Sequence, residues 1–237
     1  MLEPRIVSHA EWLASRKALL AEEKAFTKAR DALSARRREM PWTKVETDYA
    51  FTGPKGKETL ADLFEGRSQL IIYHFMYGAD WEQGCKSCSF WADNFNGIVA
   101  HLNQRDVSMA AISTAPSATL QAFAKRMGWN FKWLSSGGTT FNQDFGVSPA
   151  PGKTLDYNYG TTVKDMTEMP GISVLARDKT GAIHHTYSTY GRGLDMVNGA
   201  YHLLDPVPKG REEAGLPFTM SWLKHRDSYS SRQPAPC

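Results

Sequence analysis

The sequence predicts an α/β domain in which a largely parallel sheet, flanked by helices, gains antiparallel strands from a hairpin, so that the sheet as a whole is mixed. Three observations carry this. Apolar strand-like runs alternate with helix-like segments between residues 70 and 134, the βα alternation of a parallel sheet. The turn Asp178-Lys179-Thr180-Gly181 separates two later strand-like runs and makes them a hairpin. Two cysteines, Cys85 and Cys88, stand where the loop after an apolar strand meets the start of a helix, the setting of a redox pair.

The chain opens with one long helix. Ser8-His9-Ala10-Glu11 matches a capping box, with Ser8 as N-cap and Glu11 reaching back to it. Trp12, Leu19, Phe26 and Leu33 recur every seven residues with Leu13 and Leu20 beside them, which gives one narrow apolar stripe on a charged helix. Arg36-Arg37-Arg38 fall in the last turns, where cations suit the helix dipole, and Pro41 ends the element. The stripe suits packing on its own domain or contact with a second copy of the chain. The arginines are most simply a solvated helix end. This organisation predicts an N-terminal helical extension over 1–41, a main domain over 42–205 and a C-terminal tail over 206–237.

Residues 49–57 read as a strand and a turn, punctuated by Gly53-Pro54 and Gly56. Residues 59–64 form a short helix or turn leading into the strand at 70–76, which is apolar on both faces as in the centre of a covered sheet. The cysteine helix follows, then a strand at 107–113, a helix opened by Pro116-Ser117 and carrying Leu120, Phe123 and Met127, and a strand at 131–134. Residues 135–167 are rich in Gly, Ser, Thr, Asn and Pro and read as irregular loop. The hairpin strands are 171–177 and 183–187, and residues 194–204 read as a final core helix. The Pro-rich tail carries an apolar patch at 218–223 and an amphipathic segment, Trp222 with Lys224, His225 and Arg226, that packs on the domain.

Composition sets bounds. The 237 residues are 41% hydrophobic and 22% charged, enough to bury a sizeable core without staples. A formal net charge of +3 is too mild to argue for nucleic acid. No run of about 18 apolar residues exists, so no membrane-spanning helix is expected, and the first residues lack a secretory pattern. Three cysteines, Cys85, Cys88 and Cys237, are too few for a disulfide framework. Cytoplasmic residence is therefore expected, where a C-x-x-C pair is more often catalytic or metal-binding than structural.

The chemistry of the pair follows from its place. Unpaired N–H groups at a helix start favour an anion, and the thiolate is the reactive form of cysteine. Cys85 is expected to be exposed, with a lowered pKa, and to attack a substrate disulfide. Cys88, one turn on, would resolve the mixed disulfide. Lys86 between them either helps hold the thiolate or is a solvated loop lysine. Trp81 and Trp91 either wall the site or are ordinary cover. Cys237 is either a third exchanging thiol or an inert terminus. A metal site is a weaker reading: the chain has no second C-x-x-C and no H-x-x-x-H, and His184-His185 on a strand point to opposite faces. His74 is read as a buried, hydrogen-bonded residue, and no organic cofactor or metal is expected. A third reading is a non-catalytic binding module using the 135–167 loop and the first helix. A fourth is an atypical thiol peroxidase on the same two cysteines.

With the C-x-x-C placed, the order of elements resembles the thioredoxin fold, and residues 49–76 resemble the opening of peroxiredoxins. The chain is more similar to a bacterial thioredoxin-like family catalogued as a domain of unknown function. The shared residues are Gly84-Cys85-Lys86-Ser87-Cys88-Ser89-Phe90-Trp91-Ala92-Asp93, Glu11-Trp12-Leu13, Asp144-Phe145-Gly146-Val147, Tyr157-Asn158-Tyr159 and the run 186–193. The resemblance spans about residues 8 to 229. It implies a thiol–disulfide oxidoreductase whose partner is a disulfide-containing protein or a small thiol. It also implies a cis-proline at Met169-Pro170 whose backbone pairs with an extended substrate. The loop 77–84 lacks the Pro and Thr that peroxiredoxins place before their cysteine, which argues against the usual peroxiredoxin site.

Overall fold

The computed structural model describes residues 4–230; Cys237 lies outside them. An eight-stranded sheet runs in the order β1-β10-β9-β4-β5-β6-β2-β3. Its strands are β1 (Thr43–Lys44), β2 (Ala50–Gly53), β3 (Gly56–Thr59), β4 (Gln69–His74), β5 (Val107–Ser113), β6 (Lys132–Ser135), β9 (Gly171–Arg177) and β10 (Ile183–Tyr190). Only β4–β5 and β5–β6 pair in parallel; β9 lies antiparallel between β4 and β10, and β2 pairs antiparallel with β6. The sheet is thus mixed, with less parallel character than the βα alternation predicts, because the hairpin docks against the central strand. The helices α2 (Lys86–Ala92) and α3 (Val99–Asn103) join β4 to β5, α4 (Ser117–Met127) joins β5 to β6, and α6 (Gly199–Leu204) follows β10. This β-α-β then β-β-α core, with the cysteine helix directly after the central strand, is thioredoxin-like.

β4 shows why the sheet sits where it does. Leu70 and Ile72 enter one buried cluster with Phe51, Leu63 and Phe64, while Tyr73 enters the other with Phe95 and Trp133. Alternation along the strand sends successive side chains to opposite faces, and both faces are covered. His74 ends the strand fully buried, stacked on Phe141 and hydrogen-bonded through Nε2 to Ser173 Oγ at 2.8 Å, as the sequence leads one to expect. Burial holds its pKa down to about 3.

The N-terminal helix α1 spans His9–Arg38. Its capping box is present: Ser8 Oγ accepts from the Glu11 N–H, and Glu11 accepts from the Ser8 N–H at 3.0 Å. The expectation that its stripe packs on its own domain is not met. The helix buries no residue, and Phe26 is 69% exposed. Only its C-terminal end reaches the domain, where the Arg37 guanidinium lies over the Tyr187 ring.

The 135–167 stretch is mostly irregular, as its composition predicts, yet it holds a short helix, α5 (Phe141–Asp144), and a separate hairpin of β7 (Leu155–Tyr157) and β8 (Thr161–Val163). Val147, Leu155 and Tyr157 are buried with Tyr190, and these scattered apolar residues organise a segment whose composition alone reads as loop. Two further expectations need correction. Residues 194–204 are not one helix. A 3-10 segment covers Gly191–Val197, and Asn198 then caps α6 by accepting from the Tyr201 N–H at 3.1 Å. The Met169–Pro170 bond is trans, since no cis peptide bond occurs among the described residues. The Met169 N–H is committed to Val147 O at 2.8 Å and the Pro170 carbonyl to the Tyr157 hydroxyl at 2.5 Å, so the segment is fixed from both sides in the ordinary trans geometry.

Candidate active site

The loop after β4 returns to the strand's end before the cysteines. The Cys85 N–H donates to Met76 O at 3.0 Å, which pins the first cysteine to the carboxyl end of the sheet. Gly84 is required just before it: a Cβ there would stand 2.8 Å from the Phe75 ring. Cys85 is the N-cap of α2, and its sulfur accepts from the Cys88 N–H at 3.5 Å. Both cysteines are free thiols; Cys85 is half-buried and Cys88 buried.

The electrostatics separate the two. The Cys85 pKa is pulled down to about 6, foremost by a hydrogen bond from the Cys88 thiol. Burial opposes this, and the N–H groups of Cys88 and Ser87 add to the lowering. Cys88 moves the other way, raised by burial and then by the neighbouring Cys85 sulfur. The two shifts run in opposite directions, favouring the thiolate at Cys85 and the protonated thiol at Cys88.

Tyr73 lies beneath the pair. Its buried hydroxyl donates to the Cys88 carbonyl at 3.3 Å, and its pKa is raised by burial and then by Cys88. Sequence reasoning placed Tyr73 only as a core residue; its position at the end of the strand before the cysteine loop is the signal that could have found it. Trp91, on the buried face of α2, donates its indole N–H to Leu194 O at 2.8 Å and lines a cavity that also reaches Cys88 and Pro170. Trp81 stands elsewhere: it is half-buried against the core, its indole over Gly78, and is not part of that cavity's lining. Lys86 is half-buried, and the leading groups acting on the Cys85 sulfur are Cys88 and Ser87 rather than this lysine. Pro170 touches the cavity, whereas Met169 packs against the third cluster with Val147 and Tyr190. The backbone groups expected to pair with a substrate, the Met169 N–H and the Pro170 carbonyl, are occupied within the chain.

The tail completes the site. His225 Nε2 bonds the Gly84 carbonyl at 2.8 Å, Leu223 is buried, and Arg126 pairs with Asp227 at 2.6 Å. Nearby, Glu168 is buried beside the Met169-Pro170 segment. It accepts from Thr114 Oγ1 at 2.5 Å and Asn142 Nδ2 at 3.2 Å, and burial pushes its pKa up to about 7. His184 bonds Asp178 at 2.8 Å and His185 bonds Ser188 at 2.6 Å, so the adjacent histidines do have separate partners. Among the described residues no group of three or more His, Cys, Asp or Glu side chains could hold a metal ion, and no helix is long and apolar enough to cross a membrane.

Comparison with known proteins adds the following. The profile of a family described as a bacterial protein of unknown function (DUF899) matches residues 1–229. No curated protein matches the chain. Among solved structures, peroxidoxin BcpB from Mycobacterium tuberculosis is similar at 16% identity and a TM-score of 0.47, over 67% of this chain and 90% of that one. Peroxiredoxin Q from Xanthomonas campestris is similar at 15% identity and 0.46, over 69% and 96%. The mitochondrial 2-cys peroxiredoxin from Plasmodium falciparum is similar at 12% and 0.41, over 68% and 94%.

Proposed function

The chain belongs to the bacterial family DUF899, whose description assigns no activity, and we propose from its own site that it is a thiol–disulfide oxidoreductase working through Cys85 and Cys88. The Cys85 thiolate attacks one sulfur of a substrate disulfide. That S–S bond breaks, a Cys85–substrate disulfide forms, and the first substrate thiolate leaves. Cys88, giving up its proton, then attacks the Cys85 sulfur and releases the second thiolate. The substrate gains two electrons and the pair is left as a disulfide. An external dithiol reductant resets it.

One observation supports this above the others: the Cys85 sulfur accepts from the Cys88 N–H at 3.5 Å and is held toward the thiolate by the Cys88 thiol. The residue that must later displace the substrate from Cys85 is thus also the one that most favours its thiolate. A binding module has no use for a thiol pair polarised in this way.

Alkylation of the reduced protein by iodoacetamide across pH tests the reading. An apparent Cys85 pKa near 6, with two-electron oxidation of the pair in a redox buffer, is the expected result. A value at or above about 8.5, the range of free cysteine, with no dithiol oxidation, removes it.

A further inference from the structure

A cavity of about 300 Å³ ends on Ser87 and Cys88, and Cys88 in turn donates its N–H to the Cys85 sulfur at 3.5 Å. Its walls come from separate parts of the chain: Tyr73 of β4, Trp91 of α2, Pro170 ahead of β9, Leu194 of the 3-10 segment, Tyr201 of α6 and Met220 of the tail. These are aromatic or hydrocarbon surfaces. Their polar atoms are already spent inside the protein. The Trp91 N–H goes to Leu194 O, the Tyr73 hydroxyl to Cys88 O and the Tyr201 hydroxyl to Glu213 at 2.7 Å. Arg211, also at the cavity, is held by Asp195 at 3.0 Å and Asp205 at 2.6 Å and lies over the Tyr201 ring.

A peptide strand carries an N–H and a C=O at nearly every residue, and each needs a partner when buried. These walls offer few beyond the side chains of Ser87, Arg192 and Thr219, which also line the cavity. Of the backbone groups expected to pair with such a strand, the Met169 N–H and the Pro170 carbonyl are themselves occupied. The tail adds a second restriction. Thr219 and Met220 line one side of the cavity, and the chain beyond them is fastened at buried Leu223 and at His225, which bonds the residue preceding Cys85. The volume sits at the lower end of the range for small-molecule pockets.

We propose that this cavity is the substrate site and that it takes small disulfides with apolar arms rather than disulfides within proteins. This rests on the dithiol reading above and narrows it. One arm of the disulfide enters the cavity over Cys88 while its sulfur meets Cys85. The atoms and electrons balance as already written: the S–S bond of the small molecule is exchanged for Cys85–Cys88, and two small thiols leave.

The test is the rate at which diethyl, dipropyl and dibutyl disulfide oxidise the reduced protein in a single turnover. It is followed by tryptophan fluorescence and checked by mass spectrometry. Electrophilicity is nearly constant along this series, so arm burial dominates. The second-order rate constant is expected to rise about fourfold per methylene added to the buried arm. Met220→Gln should flatten that rise and leave the Cys85 alkylation pKa unchanged. Insulin should be reduced at least tenfold more slowly, per disulfide, than dibutyl disulfide. A flat series in the unaltered protein, or insulin reduced as fast, overturns the substrate assignment while leaving the dithiol chemistry standing. Failure of every disulfide to oxidise the pair, with an ordinary Cys85 pKa, overturns the chemistry itself. The alkyl series needs no variant, so a Met220→Gln protein that fails to fold does not block the test.

Discussion

The indole N–H of Trp91 donates to the Leu194 carbonyl at 2.8 Å, tying the cysteine helix to the 3-10 segment that follows the hairpin. The two residues are far apart in the chain yet share one wall of the cavity. Trp91→Phe keeps an aromatic ring but leaves the Leu194 carbonyl without its buried donor. The expected cost is about 1–3 kcal/mol of stability, measured by urea unfolding of the reduced protein. An unchanged unfolding midpoint would show that this bond does not couple the two elements.

The Cys88 thiol is the leading cause of the low Cys85 pKa. Cys88→Ala should therefore raise the apparent pKa of Cys85 alkylation by at least about one unit toward the free-cysteine range. Cys88→Ser retains a hydroxyl donor and should recover part of the lowering. Equal effects of the two substitutions would mean that the backbone N–H groups, present in both, do most of the lowering.

Glu168 gives a pH signature. Its folded pKa is raised from 4.5 to about 7 by burial, so the folded state holds its proton more tightly than the unfolded chain does. The contribution to stability is complete below about pH 4.5, falls as pH rises, and is lost above about 7. Glu168→Gln removes this dependence. Thr114, which can also donate to Tyr77 O at 3.3 Å, is free to adapt to the new amide. The stability difference between variant and parent should shift by about 3 kcal/mol in the variant's favour between pH 4 and pH 8. Denaturant melts of both proteins across that range check it; parallel curves would contradict the buried carboxylic acid.

The capping box of α1 acts on a helix that buries nothing. Ser8→Ala should cost the helix about 1 kcal/mol and fray its first turns. Far-UV circular dichroism at 222 nm should fall while the cooperative unfolding midpoint of the core stays put. A midpoint that moves with the cap would mean that α1 folds as one unit with the sheet.

The parts legible in the sequence were those with local signatures. The strand at 107–113 and the helix at 117–127 coincide with the observed elements, because an apolar run and a Pro-Ser start leave few alternatives. The cysteines, the capping box and the Asp178–Gly181 turn were equally plain, each being a short pattern with a mechanism. Long-range features were not. Thr43-Lys44 is too short to read as a strand, and it becomes β1 only because β10 offers an edge. Glu168 reads as a surface acid until Thr114 and Asn142, each more than 20 positions away, close around it. The tail was legible in part: its apolar patch and amphipathic segment point to packing on the domain, but that Met220 lines the cavity and His225 reaches Gly84 is hidden by sequence separation.

The pairing of Thr43 and Lys44 with His185 and His184 carries a last consequence. At the far border, β3 is a four-residue strand bearing Lys57 and Glu58, so the sheet ends there in charge and brevity. At this border the outermost ladder belongs to β10, eight residues long and rich in Thr and Tyr, the kind of strand that recruits others. The two-residue stitch of β1 shields its first half, and the Tyr159 hydroxyl takes the Ser188 carbonyl at 3.1 Å further along. A chain trimmed before Val45 would keep its cysteines and its cavity. It would also present an open β-template to its neighbours, and clumping, rather than loss of chemistry, would be the first sign of what those few residues were for.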